Sequence, residues 1–406
     1  MLESLPLVFV LAGLALYTVL GFADFGAGFW QLFAGGGEHG GRVREFAHRS
    51  MAPVWEANHV WLIFVLTVFW TAYPSAFGSI ASTLAVPLFI ALLGIVFRGA
   101  AYGLRAGASN ARESGLIDTI FSLSSIVTPF ALGAAIGGIA TDRVPVGNAT
   151  GDLASSWLNA TSIFIGVLAV AMSAYLAAVY LAADAHHDGL DALERDFRAR
   201  SLGMGLVAGA VAVAGIFVVD HDNHKLFHSL LTGQALPAVI ASAAAGAATL
   251  VLVHLRRLEL ARYGAAVAVA AITAGWALSR WPEILPGLSV HQAAAGHDAL
   301  VAIVVAVLAG GVILFPALAF LFRLALTGRF RAAEVAPAGV AVRRAVVRPR
   351  LQARAAIACL IAGFGLLNVA DAPWAHAAGL AFLAGFVVSA FLAIVFAGLV
   401  EPTVNR

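Results

Sequence analysis

The chain has 406 residues, 61% hydrophobic and 11% charged, with a formal net charge of +2. So few polar side chains cannot cover a soluble protein of this size, which excludes a soluble globular class and leaves an integral membrane protein. The near-neutral balance carries no sign of a nucleic-acid partner. The single cysteine, Cys359 in an apolar run, excludes an intrachain disulfide framework or thiolate metal site.

At about 20 apolar residues per span, eleven transmembrane helices are predicted, over residues 5–34, 54–73, 77–99, 116–141, 157–183, 202–219, 236–254, 260–279, 297–326, 354–371 and 376–399. Only Glu3 precedes the first stretch, where a cleaved leader would carry Lys or Arg, so a retained first helix is expected. Arginines gather in alternate loops: Arg42, Arg44 and Arg49 after the first span, Arg105 and Arg112 after the third, Arg195, Arg198 and Arg200 after the fifth, Arg256 and Arg257 after the seventh. The loop after the ninth adds Arg329, Arg331, Arg343, Arg344, Arg348, Arg350 and Arg354, whereas the intervening loops carry Arg143, Lys225 and Arg280. By the positive-inside rule the N-terminus is outside and, after eleven crossings, the C-terminus is cytoplasmic.

In the first span Gly13, Tyr17, Gly21, Asp24 and Gly28 fall on one helical face. Small residues there let a neighbouring helix approach, so Asp24 is expected to face protein; packing alone would also explain the glycines. The second span opens on Met51-Ala52-Pro53-Val54-Trp55-Glu56-Ala57-Asn58-His59-Val60-Trp61, the densest polar and aromatic cluster in any span, with Pro53 suited to a first helical turn. Arg98 closes the third span. The topology places Asp24, Glu56 and Arg98 together in the cytoplasmic half, although an ionisable group inside a bilayer costs about 2.5–3.5 kcal/mol even on lenient scales. Carboxylate, imidazole and amide within one helical turn, at Glu56, His59 and Asn58, can pass a proton or hold a chain of waters. Two plainer readings stand beside this: an acid paired with arginine that fixes helix register, and His59 as a hydrogen-bonded core histidine rather than a haem or metal ligand.

The fourth span carries a second small-residue seam, Thr128, Pro129, Gly133 and Gly137, with a proline kink. On the outer side His221, His224 and His228 with Asp220 and Asp222 have metal-like spacing, but without a second ligand set they read as a solvated loop. His186 and His187 beside Asp184 and Asp188 read the same way. Residues 330–353 form an Arg- and Pro-rich cytoplasmic linker between a membrane domain over 1–329 and an extra two-helix hairpin over 354–406, turning at Asp371-Ala372-Pro373.

Ala23-Asp24-Phe25-Gly26-Ala27-Gly28, Ala52-Pro53-Val54-Trp55-Glu56-Ala57-Asn58-His59-Val60-Trp61-Leu62 and Phe97-Arg98 followed by Arg105 resemble the first three helices of subunit II of the cytochrome bd-type quinol oxidases. Thr128-Pro129 to Gly137, Val144-Pro145-Val146, and Trp281-Pro282 with Pro286 are similar to that family too; the likeness covers about residues 5 to 329. It implies an all-α subunit of two four-helix bundles plus a peripheral helix, to which the C-terminal hairpin is appended. It also implies a homologous subunit I carrying haems b and d, or b alone, and the quinol-oxidising loop, in a complex of the bacterial inner membrane that reduces oxygen with cytoplasmic protons. Subunit II, itself without haem, would stabilise that assembly and supply part of a proton path through acids matching Asp24 and Glu56, with Asn58, His59 and Arg98 nearby and Trp55, Trp61, Gly28 and Pro129 as structural motif residues. The chain departs from the pattern at Gly21, where members often carry a second aspartate, and at Glu56-Ala57-Asn58-His59, where typical members read Asp-Gly-Asn-Gln. It resembles a divergent member. A proton-coupled transporter using Asp24 and Glu56, and an assembly subunit with no proton role, are the alternatives.

Overall fold

The computed structural model describes residues 2–105, 111–326 and 349–369, and beyond these only 372, 374–375, 378–379, 381–386 and 389. Within its helices the side chains at 51–57, 111, 313, 315, 317–326, 349–353 and 367–369 are outside the described set. The chain is helical: α1 (Leu5–Leu32), α2 (Gly37–Ala72), α3 (Pro74–Thr83), α4 (Ala85–Arg105), α5 (Ala111–Ala140), α6 (Ala160–His187), α7 (Asp191–Asp222), α8 (His224–Leu231), α9 (Leu236–His254) and α10 (Leu258–Arg280). A short antiparallel hairpin, β1 (Glu283–Leu285) and β2 (Leu288–Ser289), leads into α11 (Val290–Ala293), α12 (His297–Leu326) and α13 (Pro349–Val369).

Local chemistry sets several of these ends. Pro6 and Pro237 occupy the first turns of α1 and α9, where a missing N–H costs nothing. Asn159 caps α6 by accepting from the Ser162 N–H, and Ser289 and Gln292 close a reciprocal capping box on α11. The largest departure from the predicted elements is at the second and third spans. α2 begins at Gly37, not at 54, because Val43, Phe46 and Ala47 bury one stripe of a charged, amphipathic lead-in that a rule requiring apolar residues throughout cannot detect. At its other end Pro74 disfavours helical geometry at Tyr73, and α3 turns away by 120°. The predicted 77–99 span is therefore divided between α3 and α4.

Among the described residues seven helices are long and apolar enough to cross a membrane, or eight if the bent pair 58–72 and 74–83 is one span. Residues 297–312 of α12 and 354–366 of α13 form shorter apolar stretches. Within residues 1–317 the helices form two groups of four, α1, α2, α4, α5 and α6, α7, α9, α10, joined where α6 packs on α1 and α5. One core gathers Ala23 and Ala27 of α1, Leu176 and Leu181 of α6, Phe197 of α7 and Leu258 of α10. A second, at the β-hairpin end, gathers Tyr73, Leu84, Ala134, Leu285 and Leu288, and anchors α12 through Leu300.

Gly26 shows how close the two groups lie, because a Cβ there would overlap the Ser173 carbonyl oxygen and sit 2.6 Å from the Ala177 Cβ. Gly26→Leu is expected to cost about 2–3 kcal/mol, read as a lowered thermal midpoint in detergent. Gly103→Ala, with no atom within 4 Å of the new Cβ, leaves that midpoint unchanged or slightly raised. An equal fall in both would contradict the packing.

The remaining unit, residues 318–406, is described by itself. A Cβ on Gly363 of α13 would lie 2.9 Å from the Gly379 carbonyl oxygen and 2.8 Å from the Leu383 side chain, so these segments are in close contact. The predicted linker, except its last residues, Asp371 and Pro373 of the predicted turn and most of the 376–399 helix lie outside the described residues.

Candidate functional site

Asp24 of α1 and Arg98 of α4 are each 1% exposed and form an ion pair. Arg98 Nη2 donates to Asp24 Oδ1 and also to the Asp24 main-chain carbonyl at 3.0 Å. Its Nη1 donates to Ser125 Oγ of α5, and that hydroxyl in turn donates to the Phe121 carbonyl at 2.6 Å. The guanidinium carbon lies 4.2 Å from the centre of the Phe121 ring and 5.2 Å from that of Phe25, within cation–π range. At ~1.5 Å per residue, Asp24 sits about 12 Å from the C-terminal end of α1 and Arg98 about 10 Å from that of α4, so the two share a level.

Glycines make room for this. Gly28 leaves space for Ser125 Oγ, and a Cβ there would stand 3.1 Å from Arg98 Nη1. Gly21, one turn to the other side of Asp24, faces the fully buried amide of Asn58 on α2, with 3.2 Å between Asn58 Nδ2 and a hypothetical Cβ. An aspartate in place of Gly21 would meet that amide. His59 lies within electrostatic reach of Asp24. Tyr17 and Gln31, two turns before and after Asp24 on the same face of α1, are also buried. Asp24 Oδ2, Arg98 Nε, the Tyr17 hydroxyl and the amides of Asn58 and Gln31 have no protein hydrogen-bond partner among the described residues. Buried groups of this kind are ordinarily satisfied by water.

The backbone of α2 passes through Trp55 and Glu56, but both side chains lie outside the described residues. Trp61 is half-buried with its ring edge-on to Phe64 at 6.1 Å. Pro129 is buried one turn beyond Ser125; next to it the Thr128 hydroxyl donates to the Ser124 carbonyl at 2.8 Å and fills the space left by Gly94. Gly133 and Gly137 pack on Gly166 and Ser162 of α6. Sequence reasoning missed Ser125, Phe121 and Gln31. The signals were there: a Ser124-Ser125 pair in an apolar run just before Pro129, and a glutamine seven residues after Asp24.

In each histidine cluster one imidazole, His186 or His224, forms an ion pair. Glu194 of α7, 2% exposed in its side chain, is held by both Arg256 at 2.9 Å and His186 Nδ1 at 3.0 Å, and Asp184 pairs with Arg262. The expected solvated loop at 184–188 is thus partly a clasp between α6, α7 and the start of α10. At the opposite end Arg143 grips Asp222 with both nitrogens, at 2.9 and 3.0 Å, and His224 meets Asp220 at 2.7 Å. The Asp222 carboxylate raises the Arg143 pKa above its usual value. Among the described residues no three His, Cys, Asp or Glu side chains converge as metal ligands would.

The chain matches the family model for cytochrome bd terminal oxidase subunit II over residues 2–325. It is 29% identical over 110 residues to the cytochrome bd ubiquinol oxidase subunit 2 of Bacillus subtilis, a stretch covering 27% of this chain and 32% of that protein. It is 27% identical over 126 residues to the cytochrome bd-I ubiquinol oxidase subunit 2 of Escherichia coli K12, covering 30% and 32% respectively. These alignments span about a third of each curated relative. In fold it is similar to a chain in the structure of bd oxidase from Geobacillus thermodenitrificans, with a TM-score of 0.62 and 23% identity over 80% of this chain and 99% of the other.

Proposed function

Since the chain belongs to the cytochrome bd terminal oxidase subunit II family, we propose that it is the haem-free membrane subunit of a quinol:oxygen oxidoreductase. In this reading it is buried against a haem-bearing subunit I, stabilises it, and contributes to proton uptake from the cytoplasm. The observation that carries the reading is the family match over most of the chain, joined by a buried polar cluster at the arginine-rich end of the first helix group. A haem requires an axial ligand facing a cavity as wide as the macrocycle. Among the described residues of the spans, His186, His187, His221 and His254 lie at helix ends, and beside His59 the Asn58 side chain is packed tightly against Gly21. This packing leaves no room for a haem beside His59, and in this reading the haems b and d, or b alone, are carried by the partner.

Two tasks are assigned to the cluster. Arg98 holds α1, α4 and α5 together through Asp24 and Ser125, and since a guanidinium keeps its protons it is not itself a carrier. The groups proposed to take and return a proton are Asp24 through its Oδ2, His59 and Glu56. A purification of the tagged chain from native membranes tests the assignment: a second integral subunit should accompany it, with a reduced-minus-oxidised haem spectrum and quinol-dependent oxygen uptake. Recovery without haem or partner would refute it. The proposed orientation, with the arginine-rich end cytoplasmic, predicts that a reporter fused at Arg343 behaves as cytoplasmic; periplasmic activity there would reverse the assignment of depth.

A further inference from the structure

The geometry points to His48 as the proton-accepting residue at the water-facing mouth of the Asp24–Arg98 cluster, an inference that rests on the proton-uptake reading above. His48 belongs to the lead-in of α2 that precedes the membrane span, and it is half-buried where α2, α4 and α5 meet. Its ring centre lies 4.9 Å from Tyr102 of α4 and 6.2 Å from Phe121 of α5. Phe121 is the same ring that lies 4.2 Å from the Arg98 guanidinium carbon. One aromatic side chain therefore separates a partly solvated imidazole from the buried ion pair.

The charged groups around His48 come from all three helices. Glu45 stands one turn before it on α2, Arg98 and Arg105 come from α4, and Asp118 comes from α5. Arg105 ties the rim together, with Nε 3.5 Å from Asp118 and Nη2 3.8 Å from Glu45. The exposed carboxylate of Glu45 faces bulk water, while burial, then the nearby Arg105, push the imidazole below the usual histidine range. Both influences favour the neutral imidazole, whose one ring nitrogen can accept a proton while the other releases one. The residue is restored after each transfer, so no further reactant is needed. Helical register also places His48 and His59 on one side of α2, three turns and about 16 Å apart, with position 56 between them.

The test uses the purified oxidase complex and reads oxygen consumption per haem against pH. His48→Ala is expected to lower turnover about tenfold, more at alkaline pH where protons are scarce, with haem content retained. Added imidazole restores the rate, whereas pyrazole, of the same shape but scarcely basic, does not. If the alanine variant assembles poorly, His48→Gln gives the slow phenotype without the packing loss. Unchanged turnover in His48→Gln while Glu56→Gln is slow would overturn the role of His48 and leave the proton reading standing. Restoration by both azoles, or by neither, would mark a packing role and equally overturn it. Normal turnover in both variants would remove the proton reading itself, and this inference with it.

Discussion

Arg98→Leu is expected to deplete the folded, assembled protein, at a cost of about 3–5 kcal/mol relative to the native chain. The loss comes chiefly from what is left behind. Asp24 is 1% exposed and its Oδ1 has Arg98 as its partner, while the Asp24 carbonyl and the Ser125 hydroxyl also lose a donor. An uncompensated carboxylate left between packed helices bears its desolvation cost with no opposite charge to offset it. The double variant Asp24→Leu with Arg98→Leu removes both charges and should recover much of the lost stability, because replacing a buried pair by apolar groups is often close to neutral. Membrane abundance and thermal midpoint in detergent read both changes. An Arg98→Leu protein as abundant and heat-resistant as the native chain would show that the pair does not hold the helices.

That pairing also changes the weight given to the three charges. From sequence, Asp24 reads as one member of a relay. In the structure one of its oxygens is bonded to a guanidinium and its backbone is gripped by the same group. Register-fixing and the proposed proton transfer are therefore not exclusive here: the first falls to Asp24 Oδ1 and Arg98, and the second is proposed for Asp24 Oδ2, His59 and Glu56. Ser125 and the ring of Phe121 complete the first task and had no place in the sequence-based reading.

Much of the helix inventory was legible because an apolar run of twenty residues has few alternatives in a bilayer. The face carrying Gly13, Tyr17, Gly21, Asp24 and Gly28 was legible for the same reason: helical spacing decides which residues can be buried together, and all five are buried. The lead-in of α2 was not. Its Val43, Phe46 and Ala47 are spaced among Glu38, Arg42, Arg44 and Arg49, so average hydropathy conceals a stripe that periodicity alone would have revealed. The break at Tyr73-Pro74 was hidden too, because the residues after it remain apolar and only the pre-proline geometry marks the turn. Pairings such as Glu194 with Arg256 and Asp184 with Arg262 depend on how α6, α7 and α10 meet, which no local pattern encodes. His48 lay in the undetected lead-in and so escaped notice altogether.

The central claim, that this subunit feeds protons to an oxygen-reducing partner, is tested most directly by oxygen consumption per haem in the purified Glu56→Gln complex. The account predicts a fall of at least about tenfold with haem content and subunit ratio unchanged. Native turnover at full haem content would contradict it and leave the chain a purely structural subunit.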